Sequence, residues 1–442
     1  MVNFNISFDI NFSNIGKLTV GNIAKAIFEA DISCKVIKAL IENADEEAVI
    51  GYCGEKYARG NGDNRYQRAN SFTRIVKTVA GEIELTLHKV KDTHKDIVFT
   101  PVYEKIVFQK HKNHQEDISY ACADISTMMT FRDVVKGIGH FIKEKARPSH
   151  TTVWRMTKEH GKKMKEFRKE KNKKKHENGL TLDHFSADDT KSHSQQNGEK
   201  KNNIRIGWAV DENGNNIFLG LKVNKPWSSL KKEIDESGLL ALTACLVADG
   251  EKALRQGLLT DEMDYQIDTI HYIRDTGYKL WEDNILNLDQ RKEIIKELQS
   301  IVYHLVNSSK KYADNEKELQ KRINQCVDEL KDLADKLFTI NCVKASNFIK
   351  NYSNYAITYV KLALEGKNIP WNSNVIERVM GEIQKRIKHK WMRWGTEGLE
   401  TLLNLILTKY ADKKMYEEYK NHTLQNQNLK NIKITTKITQ PI

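Results

Sequence analysis

Residues 180–193 read LTLDHFSADDTKSH, and the rest of the chain is organised around this stretch. It follows a lysine-rich run and is predicted to be a strand with acidic residues towards its end, of which Asp188 is the first candidate carboxylate. Two alternating runs come next, at residues 204–210 and 217–223, and an Asn-Gly pair between them is a strong hairpin signal. The sequence therefore predicts three consecutive strands.

A second strand that ends in acid is predicted at residues 242–248, which read LTACLVA and run into Asp249. A helix-like segment that begins at Trp227 separates it from the hairpin. Because two buried strands each finish in an aspartate, Asp188 and Asp249 are expected near one edge of a shared sheet. This pair would form the first half of a metal site.

A fifth strand is predicted at residues 265–272, with a helix after it at 273–281. Asp268 and His271 lie three residues apart in this segment. A metal-binding pair, a role in positioning the DNA strand and a purely structural histidine all remain open, because two ligands are a weak metal signal.

The third candidate carboxylate is Glu377, within residues 369–378 (IPWNSNVIER), where Pro and Asn/Ser indicate a helix start. Ile376, Met380, Ile383 and Ile387 form one apolar stripe, and Glu377 lies one residue round from it. Glu377 is therefore expected to lean over the end of the sheet; the alternative is a capping box with Asn374. The flank of this helix carries cations that are predicted to face phosphates: Arg378, Lys385, Arg386 and Lys388.

Residues 286–366 are charged and strongly helical, and they lie between the fifth strand and the helix of Glu377. They are interpreted as an inserted helical subdomain. A coiled-coil arm for dimerisation is the alternative, although no heptad pattern persists.

The region before the sheet is basic. Residues 4–12 alternate as in a strand, a glycine-containing basic loop occupies 59–68, and a hairpin is predicted at 71–90. Three arginines of this region could contact phosphates or form a solvated face: Arg65, Arg68 and Arg74.

Residues 115–170 are predicted to contain a helix-turn-helix, with helices at 115–129 and 130–139 and a third helix that Ser149 caps. In such motifs the last helix enters the major groove, so Thr151, Thr152 and Arg155 are expected to face DNA. A helical bundle without DNA contact is the alternative. The lysine-rich residues 158–175 are interpreted as a linker that runs along the DNA and contacts its phosphates. The alternative is a solvated helix or linker, which is the usual state of such a charged run.

The whole chain of 442 residues carries a formal charge of +12, which favours an acidic partner, nucleic acid first. Its 6 cysteines include no C-x-x-C pair, so neither a zinc site nor a disulfide framework is indicated, and a cytoplasmic location is expected. No apolar run long enough for a membrane span and no signal peptide are found, so no membrane partner is expected.

Carboxylate ligands without a Cys or His core select Mg²⁺ or Mn²⁺ over zinc. Two such ions stabilise the attacking and leaving oxygens of an in-line phosphoryl displacement. The three acids therefore indicate two-metal chemistry on a phosphodiester, if the fold brings them together.

The motifs resemble those of DDE transposases of insertion sequences, in particular the mutator-like group. The similarity covers roughly residues 55–412, and the segments that carry it are 78–83 (TVAGEI), 187–190 (ADDT), 247–250 (VADG), 268–271 (DTIH), 374–378 (NVIER) and 391–398 (WMRWGTEG). Relatives commonly have Asp-Gly-Thr where this chain has Asp188-Asp189-Thr190, and Asp183 also precedes the motif.

The resemblance implies a mixed α/β fold with an RNase H-like core and a helical insertion before the glutamate. It implies a metal-binding triad of Asp188, Asp249 and Glu377 with Asp268 and His271 as an accessory pair. Family members cut DNA at the terminal inverted repeats of an element and join the freed 3′-hydroxyls to target DNA. A homodimer on DNA, associated with the nucleoid, is expected on the same ground.

The expected division of the chain is 1–112 (N-terminal region with the basic hairpin), 113–178 (helix-turn-helix and basic linker), 179–285 (first part of the core), 286–366 (helical insertion), 367–412 (second part of the core) and 413–442 (tail). Two other functions stay open: an RNase H-like structure-specific nuclease and a non-catalytic DNA-binding regulator.

Overall fold

A computed structural model describes residues 19–54, 65–195, 200–388 and 392–424 of the chain. The strand predicted at residues 4–12 and most of the basic loop lie outside these ranges. The chain divides into two compact units, Met1–Thr157 with Lys420–Ile442, and Lys158–Tyr419. No helix in the described ranges combines the length and the apolar composition that crossing a bilayer requires.

The first unit begins with two helices, α1 (Val20–Glu29) and α2 (Ile32–Cys53), followed by a three-stranded sheet. The strands pair in the order β1 (Tyr66–Thr78), β2 (Gly81–Asp92) and β3 (Ile97–Phe99), all antiparallel. The predicted hairpin is confirmed, and its turn uses Gly81 at a φ of 144°, a conformation that favours glycine. Alternate residues of β2 are buried and pack with residues of α2.

Three helices complete this unit: α3 (Glu116–Ser126), α4 (Phe131–Ile138) and the first turns of α5 (His150–Glu177). They share one apolar cluster, to which Ile118, Val134, Val153 and Met156 contribute. The predicted starts of the second and third helices are confirmed by their caps. Thr130 Oγ1 accepts a hydrogen bond from Asp133 N at 3.1 Å, and Ser149 Oγ accepts one from Thr152 N at 3.2 Å.

The second unit contains a five-stranded mixed sheet in the order β6-β5-β4-β7-β8. Its strands are β4 (His184–His193), β5 (Lys201–Val210), β6 (Asn216–Val223), β7 (Cys245–Ala248) and β8 (Asp264–Ile267). The first three strands are antiparallel neighbours, and β4, β7 and β8 run parallel to one another. The predicted hairpin between the second and third strands is confirmed, with Gly214 in its turn at a φ of 79°.

The helices of this unit lie between and after the strands. They are α6 (Trp227–Asp235), α7 (Lys252–Leu258), α8 (Thr269–Asp283), α9 (Leu288–Lys311), α10 (Glu316–Thr339), α11 (Val343–Ala356), α12 (Thr358–Leu364), α13 (Asn374–Ile387), α14 (Thr396–Ala411) and α15 (Lys413–Thr423), which ends beyond the unit. Residues 286–366 are helical, as predicted. They do not form a separate core, because α9 to α12 share one buried apolar cluster with the sheet.

The prediction of a strand over residues 265–272 is wrong in its second half. Strand β8 ends at Ile267 and α8 begins at Thr269. The cause is Asp268, whose Oδ1 accepts hydrogen bonds from Ile270 N at 2.7 Å and His271 N at 3.1 Å and so caps the helix. Asp268 and His271 therefore belong to a helix start.

Two further strand limits differ from the prediction. Strand β7 begins at Cys245, and Leu242, its expected first residue, ends a short 3₁₀ helix (Leu239–Leu242). Strand β4 begins only at His184 and continues to His193, so Asp188 lies within the strand and not at its end. The strand continues past Asp188 because β5 pairs with it from Phe185 to His193.

The interpretation of residues 158–175 as a linker is also wrong. They continue α5, and lysines of this segment pair with acids of the second unit. Lys158 Nζ lies 2.5 Å from Glu397 Oε2, Lys165 Nζ lies 2.9 Å from Glu400 Oε1, and Lys175 Nζ lies 3.1 Å from Asp412 Oδ2.

Helix α5 also inserts a buried cation into this unit. The Arg168 guanidinium is 1% exposed, donates to the backbone oxygens of Phe218 and Leu219, and lies 2.7 Å from Glu233 Oε1. Glu233 also pairs with Lys222 at 2.6 Å and with Lys165 at 3.2 Å. The segment therefore fastens α5 to strand β6 and helix α6.

Candidate active site

The register of the parallel strands brings three aspartates to one level of the sheet. Ser186 pairs with Val247 across β4 and β7, and Ala248 pairs with Ile267 across β7 and β8. Continued along the chains, this register aligns Asp188 with Asp249, and Asp249 with Asp268. The backbone supports the second alignment, because Asp268 N donates to Ala248 O at 2.8 Å. All three lie where β7 and β8 end.

Asp188 is a partly buried carboxyl group that other acids surround. Burial is the main reason why its pKa is raised, to about 7; a hydrogen bond from Asp189 N, 2.7 Å from Asp188 Oδ1, acts in the opposite direction. The negative charges of Asp249, Asp189 and Glu377 raise this pKa further. A partly buried carboxyl group held among like charges is a site that a cation would stabilise.

The two neighbouring aspartates that the sequence leaves open occupy different places. Asp183 precedes β4, at the end of the strand far from Asp249, and its Oδ2 accepts a hydrogen bond from Asn368 N at 3.1 Å. Asp189 follows Asp188 directly, so the two side chains point to opposite faces of the sheet. The pKa of Glu251 is raised, mainly because the group is partly buried and next because of the negative charge of Asp189.

Asp249 occupies the turn between β7 and α7. Its Oδ1 accepts a hydrogen bond from Glu251 N at 3.0 Å, and its backbone oxygen accepts one from the Tyr265 hydroxyl. Tyr265 is in turn covered by Arg255, whose Cζ lies 5.3 Å from the ring centroid. Arg255 Nη2 donates to the Tyr352 hydroxyl at 3.0 Å. The turn that carries Asp249 is therefore braced by side chains of β8, α7 and α11.

Glu377 lies in the first turn of α13, and its side chain is 47% exposed. The predicted stripe of Ile376, Met380, Ile383 and Ile387 is buried, which confirms the orientation of the helix. Helix α13 packs against β4, the strand of Asp188. The alternative of a capping box is not supported, because the N-cap of α13 is Ser373 and no side chain caps the helix.

Asp268 is fully buried, and both of its oxygens are occupied. While Oδ1 caps α8, Oδ2 accepts hydrogen bonds from Ser373 N at 2.7 Å and from the Ser373 hydroxyl. A carboxylate oxygen has two lone pairs, so four donors satisfy this carboxylate completely. Asp268 therefore ties the start of α8 to the start of α13.

His271 connects this clamp to Glu377. Its Nε2 lies 3.4 Å from Glu377 Oε1, whereas its buried Nδ1 has no hydrogen-bond partner among the described residues. Ligand atoms of Asp268, His271 and Glu377 all lie within 4.8 Å of one another. Asp268 would have to give up hydrogen bonds to bind an ion there. Among the described residues, neither Asp188 nor Asp249 belongs to a group of three possible ligands as close together as these.

The arginines predicted for DNA contact in the hairpin region are engaged within the first unit. Arg65 Nη2 lies 3.0 Å from Asp92 Oδ2, and Arg68 Nη2 lies 2.7 Å from Glu46 Oε1. Arg74 Nη1 donates to the Tyr103 hydroxyl at 2.8 Å. Each guanidinium thus stabilises the sheet and its surroundings.

The side chains at the start of the third helix divide into an exposed and a buried group. Thr151 and Arg155 are exposed and Thr152 is partly exposed, whereas Val153 and Met156 are buried. His150 and Trp154 are exposed on the same turns. The start of α5 therefore offers a polar surface with one aromatic side chain.

The basic flank of α13 divides into two groups. Arg378, Lys385 and Lys388 are exposed, although Lys385 pairs with Glu382 at 2.6 Å. Arg386 is only 5% exposed, with its Cζ 5.1 Å from the Trp394 ring centroid. Its place in the core does not fit the predicted phosphate contact.

Sequence reasoning missed Ser373 and the group formed by Arg255 and Tyr265. Ser373 stands in the Asn/Ser cluster before α13, but its partner Asp268 lies 105 residues away along the chain. Nothing in a single sequence indicates a pairing at that distance. The tyrosines around Arg255 likewise come from segments far apart in the chain.

The Mutator family of transposases has a family model that matches residues 16–417. No curated protein matches the chain.

Proposed function

Because this chain belongs to the Mutator family of transposases, we propose that Asp188, Asp249 and Glu377 are its catalytic residues and hold divalent metal ions. The observation that carries the proposal is that the register of β4 and β7 aligns Asp188 with Asp249 on neighbouring strands. The negative charges of Asp249 and Glu377 also raise the pKa of Asp188. Family membership implies action on DNA. The three acidic residues are the proposed place of that reaction in the chain.

The order of elements supports an RNase H-like core. Three antiparallel strands, a helix, a strand, a helix and a strand follow one another as β4, β5, β6, α6, β7, α7 and β8, and a later helix carries the glutamate. The helical block α9 to α12 stands before that helix, as the resemblance implies for the mutator-like group.

Two Mg²⁺ or Mn²⁺ ions at these carboxylates would stabilise the attacking and leaving oxygens of an in-line displacement at phosphorus. In the cleavage step a water oxygen bonds to the phosphorus at the element end, the bond to the 3′-oxygen breaks, and a 3′-hydroxyl and a 5′-phosphate result. In the joining step that 3′-hydroxyl attacks a phosphodiester of target DNA and a second 3′-hydroxyl leaves.

The chain's own residues hold this site in place. Asp188 and Asp249 are fixed by the sheet, and each has one carboxylate oxygen that accepts a nearby backbone N–H. Glu377 has fewer neighbours to hold it, because its side chain is half-exposed, and His271 orients it through the contact at Oε1. Asp268 acts on the reaction only through these neighbours and is a positioning residue.

The start of α5 is the proposed DNA reader. Its exposed face offers Thr151 and Arg155, and the apolar core that the three helices share supports the proposal of a helix-turn-helix. Terminal inverted repeats would be the specific site. Two element ends must be cut and joined in one event, so two copies of the chain, one at each end, are proposed to act together.

Conservative variants test the catalytic assignment. Asp249→Asn and Glu377→Gln should bind an end-DNA duplex as the unmodified protein does, while Mg²⁺-dependent nicking falls by at least about a thousandfold. Glu382→Gln is the matched control, because Glu382 lies on α13 and, among the described residues, pairs with Lys385 alone. Full nicking by either triad variant would refute the assignment.

Assays on the same end-DNA duplex distinguish the other two candidate functions from a transposase. Nicking without joining of the 3′-end to a second duplex would favour a structure-specific nuclease. Binding with no metal-dependent nicking by the unmodified protein would favour a regulator.

A further inference from the structure

Helix α8 begins at the candidate active site and leads away from it along the surface. Its buried side packs Tyr272, Ile273, Thr276 and Leu280 into the core. The opposite side carries His271, Arg274, Tyr278 and Trp281, at successive spacings of three, four and three residues, so they line one face of the helix. This row, called here the α8 stripe, extends about 15 Å from His271.

The outer half of the α8 stripe is aromatic and exposed. Tyr278 is 59% exposed and Trp281 is 65% exposed, and neither ring packs on another described aromatic residue. Their flat faces suit a planar apolar group.

A groove of about 340 Å³ lies between α8 and α9, and α8 lines it with Gly277, the residue next to Tyr278 in the chain. Gly277, which forms part of its wall, has no side chain to fill it; a Cβ at that position would lie 3.6 Å from Ile295 Cδ1. The groove is lined by Gly277, Leu288, Arg291, Lys292, Ile295, Lys296 and Gln299, so it contains three cations and no acid.

The cations of this groove are suited to an anion. Arg291 has a buried Nε without a hydrogen-bond partner, and neither Arg291 nor Lys296 has an acidic partner among the described residues. Lys292 pairs with Asp289 at 3.3 Å, and Arg274 of the stripe pairs with Asp275 at 2.9 Å. Arg291 and Lys296 are therefore available to bind a negatively charged group.

Cations beside open aromatic rings fit a nucleotide, which has a phosphate and a planar base. We propose that the α8 stripe and its groove bind an unpaired stretch of the DNA strand that adjoins the cleaved bond. Tyr278 and Trp281 stack on its bases, and Arg291 and Lys296 contact its phosphates. The inference rests on the proposed function, since it takes the strand at the active site as its starting point.

Binding of a fluorescently labelled single-stranded oligonucleotide to the full chain, without divalent metal, tests this directly. Trp281→Ala should weaken binding about tenfold, as loss of one stacked base predicts, and Trp281→Phe should restore most of it. Phe338→Ala is the matched control, because Phe338 is an aromatic residue of α10 that is 55% exposed and lies off the stripe. Binding of a fully paired duplex should change less than twofold in all three.

Charge supplies a second measurement. Arg291→Gln with Lys296→Gln should lower the slope of log affinity against log salt concentration by about 1.4 for the single strand, since each phosphate contact contributes about 0.7. Thermal unfolding of each variant controls for folding, and the charge variants keep the test valid if Trp281→Ala is unstable.

Equal single-strand binding by Trp281→Ala, Phe338→Ala and the unmodified chain would overturn the proposal. So would a change of oligomeric state in Trp281→Ala without a change in DNA binding, because the face would then contact protein. The result is independent of the catalytic assignment: Asp249→Asn should keep single-strand binding, and failure of the unmodified protein to nick DNA would leave this measurement intact.

Discussion

Asp268 and Ser373 meet through two hydrogen bonds, from Ser373 N and from the Ser373 hydroxyl, to one carboxylate oxygen. The other oxygen of Asp268 caps α8, the helix of His271. One buried side chain thus fixes the starts of two helices whose first turns bring His271 to Glu377.

Asp268→Asn should lower the rate of strand cleavage while leaving DNA affinity unchanged. The amide places an NH₂ donor against other donors, so at least one hydrogen bond is lost and His271 and Glu377 lose their alignment. We expect a loss of stability of about 1–3 kcal/mol. Ser373→Ala keeps the bond from Ser373 N and should have a smaller effect on both.

Asn287→Ala is the control for this clamp. Asn287 caps α9 in the same unit, with Asn287 Oδ1 2.9 Å from Gln290 N, and its loss should cost about 1 kcal/mol. Cleavage by Asn287→Ala should be normal. If equal destabilisation of the two variants gave equal losses of cleavage, Asp268 would have only a general structural role.

Divalent metal binding should depend on pH through Asp188. Its pKa is raised to about 7, with burial as the main cause, so below pH 7 the group is protonated before metal binds. Affinity for Mn²⁺ should then fall about tenfold for each pH unit below 7 and level off above it. Calorimetric titration between pH 5.5 and 8.5 measures this.

Two variants locate that dependence. Asp188→Asn should bind Mn²⁺ weakly and without the step near pH 7, whereas Asp183→Asn, at the other end of β4, should bind as the unmodified chain does. A step near pH 7 that survives in Asp188→Asn would assign the proton to another group.

Acid should destabilise the second unit through Glu233. Burial alone raises the pKa of Glu233, but Arg168, Lys165 and Lys222 outweigh it and lower that pKa to about 2 from the usual 4.5. Because the folded-state pKa is lowered, the stabilisation is present above pH 4.5 and is lost as the pH falls from 4.5 towards 2. Urea unfolding over this range should show it.

Glu233→Gln should remove that pH dependence and lower the free energy of unfolding by about 3 kcal/mol at pH 7, because Arg168 stays buried without its partner. Glu236→Gln is the comparison, since it breaks an exposed pair with Lys169 and should cost under about 1 kcal/mol. Similar losses in both variants would show that the buried pair contributes no more than an exposed one.

Arg155→Ala should weaken binding of end DNA and lower the salt slope by about 0.9, the contribution of one phosphate contact to duplex binding. Arg155 is exposed near the start of α5. Arg132→Ala, an exposed arginine of α4, is the matched control and should change affinity less. Gel-shift titrations at several salt concentrations measure both, and an unchanged slope for Arg155→Ala would move the DNA surface elsewhere.

Local patterns in the sequence predicted much of the second unit. Alternation predicts β5 and β6, and the apolar stripe of α13 predicts on which side Glu377 stands, because both depend on residues close together in the chain. The prediction of where β8 ends and α8 begins is wrong for a different reason. The segment around Asp268 is apolar enough for a strand, and only the capping geometry of Asp268 decides in favour of a helix.

Long-range pairing was beyond prediction. The lysines of 158–175 resemble a solvated run, yet their acidic partners lie far along the chain, as Glu397 does for Lys158. Arg386 resembles its exposed neighbours on α13 in the sequence, but Trp394 covers it after the helix ends. Whether a charge faces water depends on what folds against it.

The ends of the helical block are held together at its base. Thr269 N donates to Trp371 O at 3.1 Å, beside the bonds between Asp268 and Ser373. The chain between these residues is thus a closed loop with a fixed neck, and the path from α8 to α13 does not depend on what the loop contains. Helices could be added to or removed from it during evolution while the glutamate stayed opposite the aspartates, provided that the core beneath the sheet remained filled.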